Sequence, residues 1–220
     1  MGLLSRIFSK WFSSDNENDD VTQTTFGNVV KFRVGSTVSI GATFTIMLND
    51  GLFFKEHFGN EDLSAMIVDT VLSFDFDGTK VYRLYCRNPE CMVQLQEEPH
   101  ERVSYMLFFL TQDIPLQDQN MYKEWVSSDD AIMKSPTIED ELNGETIEFQ
   151  KVFGPVQYRE NVEADASGVE RESSLSKSMT LFDRGAGDGV EYVLFDAELD
   201  NYVVEGFSGV NVPYEEVTIL

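Results

Sequence analysis

Between Met66 and Gln96 the chain reads MIVDTVLSFDFDGTKVYRLYCRNPECMVQLQ. Two turn signals, Asp77-Gly78 and Asn88-Pro89, divide it into apolar runs of strand length. Asp-Gly supplies the positive φ angles of a tight hairpin, so the segment predicts a three-stranded antiparallel meander to which further strands add. Val81 to Arg87 alternates: Val81, Arg83, Tyr85 and Arg87 share one side, and Tyr82, Leu84 and Cys86 share the other. The second set is the expected core face, and Phe74 and Phe76 are the expected core residues of the strand before it. Met92 or Val93 points inward on the third strand, depending on register.

The rest of the chain extends this pattern. VVKFRV (29–34) and TVSI (37–40) have strand character. TFTIML (43–48) is a short apolar run that reads as strand, and Leu52-Phe53-Phe54 resumes one after Asn49-Asp50-Gly51. VSYMLFFL (103–110) is the most apolar run and is too short to span a bilayer as a helix. Its aromatic content predicts a buried central strand. DQNMYKEWV (118–126) predicts a helix capped by Asp118, with Met121, Tyr122, Trp125 and Val126 on one face. A polar connection over 127–143 carries Ile132 and Ile138 as anchors. The last third predicts strands over 146–153, 156–160, 175–184, 191–197, 202–207 and 216–220, with a hairpin loop over 163–174. The expected fold is mainly β (a β-rich α+β class), with antiparallel strands in a barrel-like or sandwich arrangement and one or two packed helices.

The N-terminus differs. In GLLSRIFSKWF (2–12), Leu3, Leu4, Ile7, Phe8, Trp11 and Phe12 fall on one helical face, with Ser5, Arg6, Ser9 and Lys10 opposite. An amphipathic helix over 1–12, an acidic linker over 13–25 and a single β-rich domain over 26–220 are the expected organisation. The net charge of the chain is −23, which opposes binding to nucleic acid. Residues 2–12 are its one cationic stretch. Leu4, Ile7, Phe8, Trp11 and Phe12 are the candidate contact residues, with Arg6 and Lys10 supplying electrostatics. They suit an anionic membrane surface, the apolar groove of a partner, or the chain's own core. Too short to be stable alone, the helix orders on binding. Met1-Gly2 does not make a myristoylation signal, because Arg6 stands where Ser or Thr is needed. With no secretory signal and no run of about 18 apolar residues, cytoplasmic residence is expected.

Motifs that carry reactions are missing. There is no G-x-S-x-G elbow, and GAGDG (185–189) lacks the Lys-Ser/Thr of a phosphate cradle. Asp75 and Asp77 open like a calcium loop, but Leu84 stands where its closing glutamate belongs. Cys86 and Cys91 flank a turn, and His57 and His100 are solitary, so the spacing fits no tetrahedral zinc set. The cysteines are expected to be inert, and neither a cofactor nor a metal is expected. The reading is therefore an accessory protein without enzymatic activity; the alternative is a small-ligand-binding β domain or an enzyme with an unrecognised pocket.

Several dispersed segments carry a resemblance: GSTVSIGA from Gly35, VYRLYC with CMVQLQ, Glu124-Trp125, MTLFDR (179–184), EYVLFDAE (191–198) and VEGFSGVNVPYEEVTIL (204–220). Together they resemble the YjfK-like family of bacterial proteins, a domain of unknown function, over roughly residues 28–220. One departure is FQKVF (149–153), which lacks the Arg and Trp of the family's aromatic-Tyr-x-Arg-x-Trp pattern. The resemblance implies no activity, cofactor or catalytic set. It does imply a neighbourhood of PspA-like membrane-stress proteins and small membrane proteins, hence a PspA-like partner for the N-terminal helix.

Overall fold

The computed structural model describes residues 33–47, 52, 61–98, 102–126, 137–139, 146–165, 174–186, 189–198 and 200–220. The candidate contact residues Leu4, Arg6, Ile7, Phe8, Lys10, Trp11 and Phe12, the linker, His57 and His100 lie outside them.

The meander forms as its turn chemistry requires. Asp77 and Gly78 take φ of 50° and 80°, the two positive angles of a tight hairpin. They join β2 (Met66–Phe76) to β3 (Thr79–Arg87), and Asn88, with φ 58°, turns the chain into β4 (Cys91–Glu98). β5 (Arg102–Pro115) pairs with β4 on one side and with β11 (Val203–Val212) on the other. β11, β10 (Gly189–Glu198), β9 (Ser174–Ala186) and β8 (Gln150–Asp165) follow as hydrogen-bonded neighbours. β8 then returns to β2, with Thr70–Ser73 opposite Asp165–Asn161. The eight strands close into an antiparallel barrel, which removes the sheet edges that an open sheet would expose. Beyond it, β1 (Thr37–Ile40) pairs with the start of β2, and β12 (Val217–Ile219) pairs with β1.

Alternation distributes the side chains of each strand between the barrel interior and two covered outer patches. Phe74, Val81, Met92, Met106, Phe108, Tyr158, Met179, Tyr192, Leu194 and Phe207 pack together inside. Gly209 is required there: a Cβ at this position would sit 2.3 Å from the Phe108 ring. One outer patch, with Val68, Val71, Leu84, Val93, Leu95, Leu107 and Val210, lies under Val38 and Ile40 of β1, Leu63, and Phe44 of α1 (Ala42–Met47). The other, with Phe182, Val193, Phe195 and Val204, packs with Phe149 and with Tyr122 of α2 (Gln119–Val126). Asp118 caps α2 as expected, its Oδ1 accepting from the backbone N–H of Asn120 and Met121 at 2.8 and 3.0 Å.

Four local expectations change. TFTIML enters a short helix, α1, rather than a strand; β1 is already flanked by β2 and β12, so an added strand would find no open edge there, whereas a helix seats Phe44 on the outer patch. The segment 146–153 is interrupted at Phe149. Its first part, β7 (Thr146–Glu148), pairs with β6 (Thr137–Glu139) as a separate ribbon carrying Ile138. β8 continues to Asp165, beyond the expected hairpin-loop boundary, because β2 supplies it with a partner. Finally, both sides of β3 are covered. Leu84 and Cys86 face an outer patch as core residues, but the side carrying Val81 and Arg83 is the barrel interior. Met92 and Val93 are likewise both buried, on opposite faces.

Candidate functional site

A charged cluster occupies the inside of the barrel. Arg83 on β3 lies in phase with Val81, so the alternation that buries the valine also buries the guanidinium, which is 0% exposed. The same phase brings Tyr158 and Glu160 inward from β8, Lys177 from β9 beside Met179, and Asp196 from β10 beside Leu194. Arg83 Nη1 donates to Asp196 Oδ2 at 2.6 Å, Tyr158 Oη at 2.7 Å and Glu160 Oε1 at 3.2 Å. Its Nε donates to Gln94 Oε1 at 3.0 Å. The guanidinium carbon stands 4.9 Å from the centre of the Phe74 ring and 5.4 Å from that of Tyr158, within cation–π range. The Tyr158 hydroxyl donates to Asp196 at 2.7 Å. Lys177 Nζ lies 3.0 Å from Glu160 Oε2, 3.6 Å from Asp196 Oδ2 and 3.9 Å from Glu205 Oε2.

Two buried cations thus balance two buried carboxylates, and Glu205 stands where the cluster meets solvent. Burial alone would drive Asp196 toward its neutral form, but Arg83, Lys177 and the hydrogen bonds from Tyr158 and Arg83 outweigh it and hold the carboxyl below its usual range. Burial also opposes the charge on Lys177, yet Asp196, Tyr85 and Glu160 hold the amine protonated well above its ordinary range. Desolvation raises Tyr85 and Tyr158, so both keep their protons at neutral pH. An amine locked as ammonium is no nucleophile, and a phenol held protonated is no base. The cluster is a closed set of ion pairs that ties β3, β4, β8, β9 and β10 together. On an outer face the buried Glu191 pairs with a partly exposed arginine, Arg184 Nε donating to Glu191 Oε2 at 2.5 Å.

Asp183 is different. It is 7% exposed, projects into the barrel in phase with Leu181, and desolvation raises its pKa from the usual carboxylate range to about 6. A raised folded-state value means that the protonated carboxyl favours folding. That contribution is complete below about pH 4, the value in the unfolded chain, and is lost as pH rises through about 6. Asp183→Asn, which cannot ionise, is therefore expected to be more stable than wild type at pH 7.5 by about 1–3 kcal/mol. The gain shrinks toward zero at pH 4. Urea unfolding midpoints at the two pH values check this; equal differences at both would show that Asp183 ionises without cost.

Cys86 and Cys91 are free, buried and directly opposed across β3 and β4. Asp77 is a hairpin residue, and Ala186 and Gly189 flank the tip of the β9–β10 hairpin within the former GAGDG candidate. Among the described residues no group of three or more His, Cys, Asp or Glu side chains is arranged to hold a metal ion. No described helix is long and apolar enough to cross a membrane. The ionic cluster was missed in the sequence although it carries a signal: Lys177-x-Met179-x-Leu181 and Tyr192-x-Leu194-x-Asp196 each place a charge in phase with core residues. No family model, curated protein or solved structure matches the chain.

Proposed function

We propose that this protein is a non-enzymatic accessory module of the YjfK-like kind, held at the cytoplasmic face of the inner membrane, or on a PspA-like membrane partner, by residues 2–12. The observation that carries the reading is the barrel interior. Eight strands leave room for little more than side chains, and here Arg83, Phe74, Phe108, Met92 and Tyr192 are each at most 2% exposed. The charged groups of the interior are already paired: Arg83 with Asp196 and Glu160, and Lys177 with Glu160. A packed and electrostatically closed interior suits a rigid body whose work is done at its surface and by what it is tethered to. The anionic chain carries one cationic amphipathic stretch, and that stretch is its tether: Leu4, Ile7, Phe8, Trp11 and Phe12 enter the acyl boundary while Arg6 and Lys10 meet anionic headgroups.

The test is co-sedimentation with vesicles containing anionic lipid. The full chain is expected to sediment. A chain beginning at Val21, and a full-length Phe8→Asp/Trp11→Asp variant, are each expected to lose binding on the order of tenfold or more. Added salt weakens binding of the full chain, because two cations contribute about 1 kcal/mol each. Equal sedimentation of all three proteins would overturn the membrane tether and leave the helix to a protein groove or to the barrel's own surface.

A further inference from the structure

Three sulfur atoms meet on the outer face of the β2–β3–β4 meander. Cys86 and Cys91 are cross-strand partners at the turn end of their hairpin. Met66, at the start of β2, places its Sδ 3.3 Å from Cys91 Sγ. Met66 is 0%, Cys86 5% and Cys91 7% exposed, and they line one apolar cluster beneath Leu63. The Cys86 thiol donates only a long hydrogen bond, 3.6 Å, to the Leu84 carbonyl. The Cys91 thiol faces two soft atoms, Met66 Sδ and the Cys86 sulfur with which it shares a hydrogen bond.

We infer that Met66, Cys86 and Cys91 form a binding site for a soft monovalent cation, Cu(I), with two thiolates and one thioether as ligands. Sulfur donors select Cu(I), whereas zinc closes its sites with four ligands drawn from thiolate, imidazole and carboxylate. A metal–sulfur bond of about 2.3 Å in a trigonal arrangement sets the sulfurs about 4 Å apart. The Met66–Cys91 separation of 3.3 Å therefore has to open by about 0.7 Å, which an unbranched methionine with three rotatable bonds can supply. Binding balances as one Cu(I) added and two thiol protons released, with no electron transferred. Each thiol gives up its proton when its sulfur binds the metal, so affinity rises with pH. Exposed Glu61 places negative charge near Cys91.

The experiment uses the full, reduced chain under anaerobic conditions, titrated with Cu(I) against bicinchoninate as a coloured competitor. The chain is expected to withdraw one equivalent, with about tenfold tighter binding per unit rise in pH between 6.5 and 7.5 for each proton released. Cys86→Ala/Cys91→Ala is expected to withdraw none. Met66→Leu conserves volume and fold while weakening binding on the order of tenfold. X-ray absorption of the loaded protein should show a first shell of sulfur alone. An unchanged bicinchoninate spectrum with the full chain would overturn the site. So would equal withdrawal by the double cysteine variant, or by Met66→Leu, or nitrogen and oxygen in the first shell. Circular dichroism of each variant separates lost binding from lost folding, and Met66→Leu decides the matter should the double variant unfold.

Discussion

Arg83→Met is expected to lower the unfolding free energy by about 3–5 kcal/mol, the cost of stranding a buried charge whose partner has been removed. Asp196 then keeps only Lys177, at 3.6 Å, as a cation, and Glu160 keeps the same amine at 3.0 Å. The loss is a large share of the 5–15 kcal/mol that holds a typical domain together. It comes from the unpaired carboxylates more than from the missing ion pair, since a buried pair replaced on both sides by apolar groups of similar size is often neutral. Arg83→Met combined with Asp196→Leu should therefore recover part of the loss, and a double-mutant cycle in urea measures the coupling.

The pH dependence gives this prediction a sign. In the wild type the folded-state pKa of Asp196 lies below its unfolded value. Its stabilising contribution is present above about pH 4 and is lost as pH falls through the folded value. Without Arg83 that depression weakens, so the gap between wild type and Arg83→Met should narrow as pH falls below about 4. A loss under about 1 kcal/mol at neutral pH, or a gap that ignores pH, would mean that the interior is wet enough to hold Asp196 ionised without its partner.

Gly154→Ala is expected to be as damaging, for a reason that involves no charge. Gly154 sits on β8 where the register against β9 shifts between Phe153 and Val156, and its φ is 106°. L side chains rarely adopt that angle. A Cβ there would also stand 2.6 Å from the Met179 carbonyl oxygen and 2.7 Å from Thr180 Cα, both backbone atoms of the neighbouring strand. Neither can move without breaking the β8–β9 ladder, which in turn sets Tyr158 opposite Lys177. Backbone strain and overpacking together cost about 3 kcal/mol or more. Thermal unfolding followed by circular dichroism reads the loss, and a Tm within a few degrees of wild type would show that the bulge relaxes. Gly185→Ala is the control, because nothing lies within 4 Å of its would-be Cβ.

Much of the architecture is local enough to read from residue order. Asp77-Gly78 marks the hairpin because two positive φ angles are cheap only for such residues, and Asp118 marks a helix start because its side chain accepts what the first turn leaves unpaired. The apolar run at 103–110 announces a central strand, and Tyr105–Phe109 are all buried. The position of Arg83 is a different kind of fact. Alternation divides β3 into two sides but says which is inside only if one of them meets water; here closure of the barrel covers one side, and β1, Leu63 and Phe44 cover the other. That closure rests on Thr70–Ser73 finding Asn161–Asp165, a pairing across some ninety residues that no local pattern encodes. Once it forms, Arg83, Tyr158, Lys177 and Asp196, each an ordinary residue of its own strand, are brought within hydrogen-bonding or ion-pairing distance of one another. Residue order by itself determined the turns, the strand phases and the mainly β class, because these depend on backbone preferences over a few residues. The tertiary structure alone decided which phase faces inward, which charges meet there and which sulfurs converge outside, because those outcomes follow from register between strands far apart in the chain.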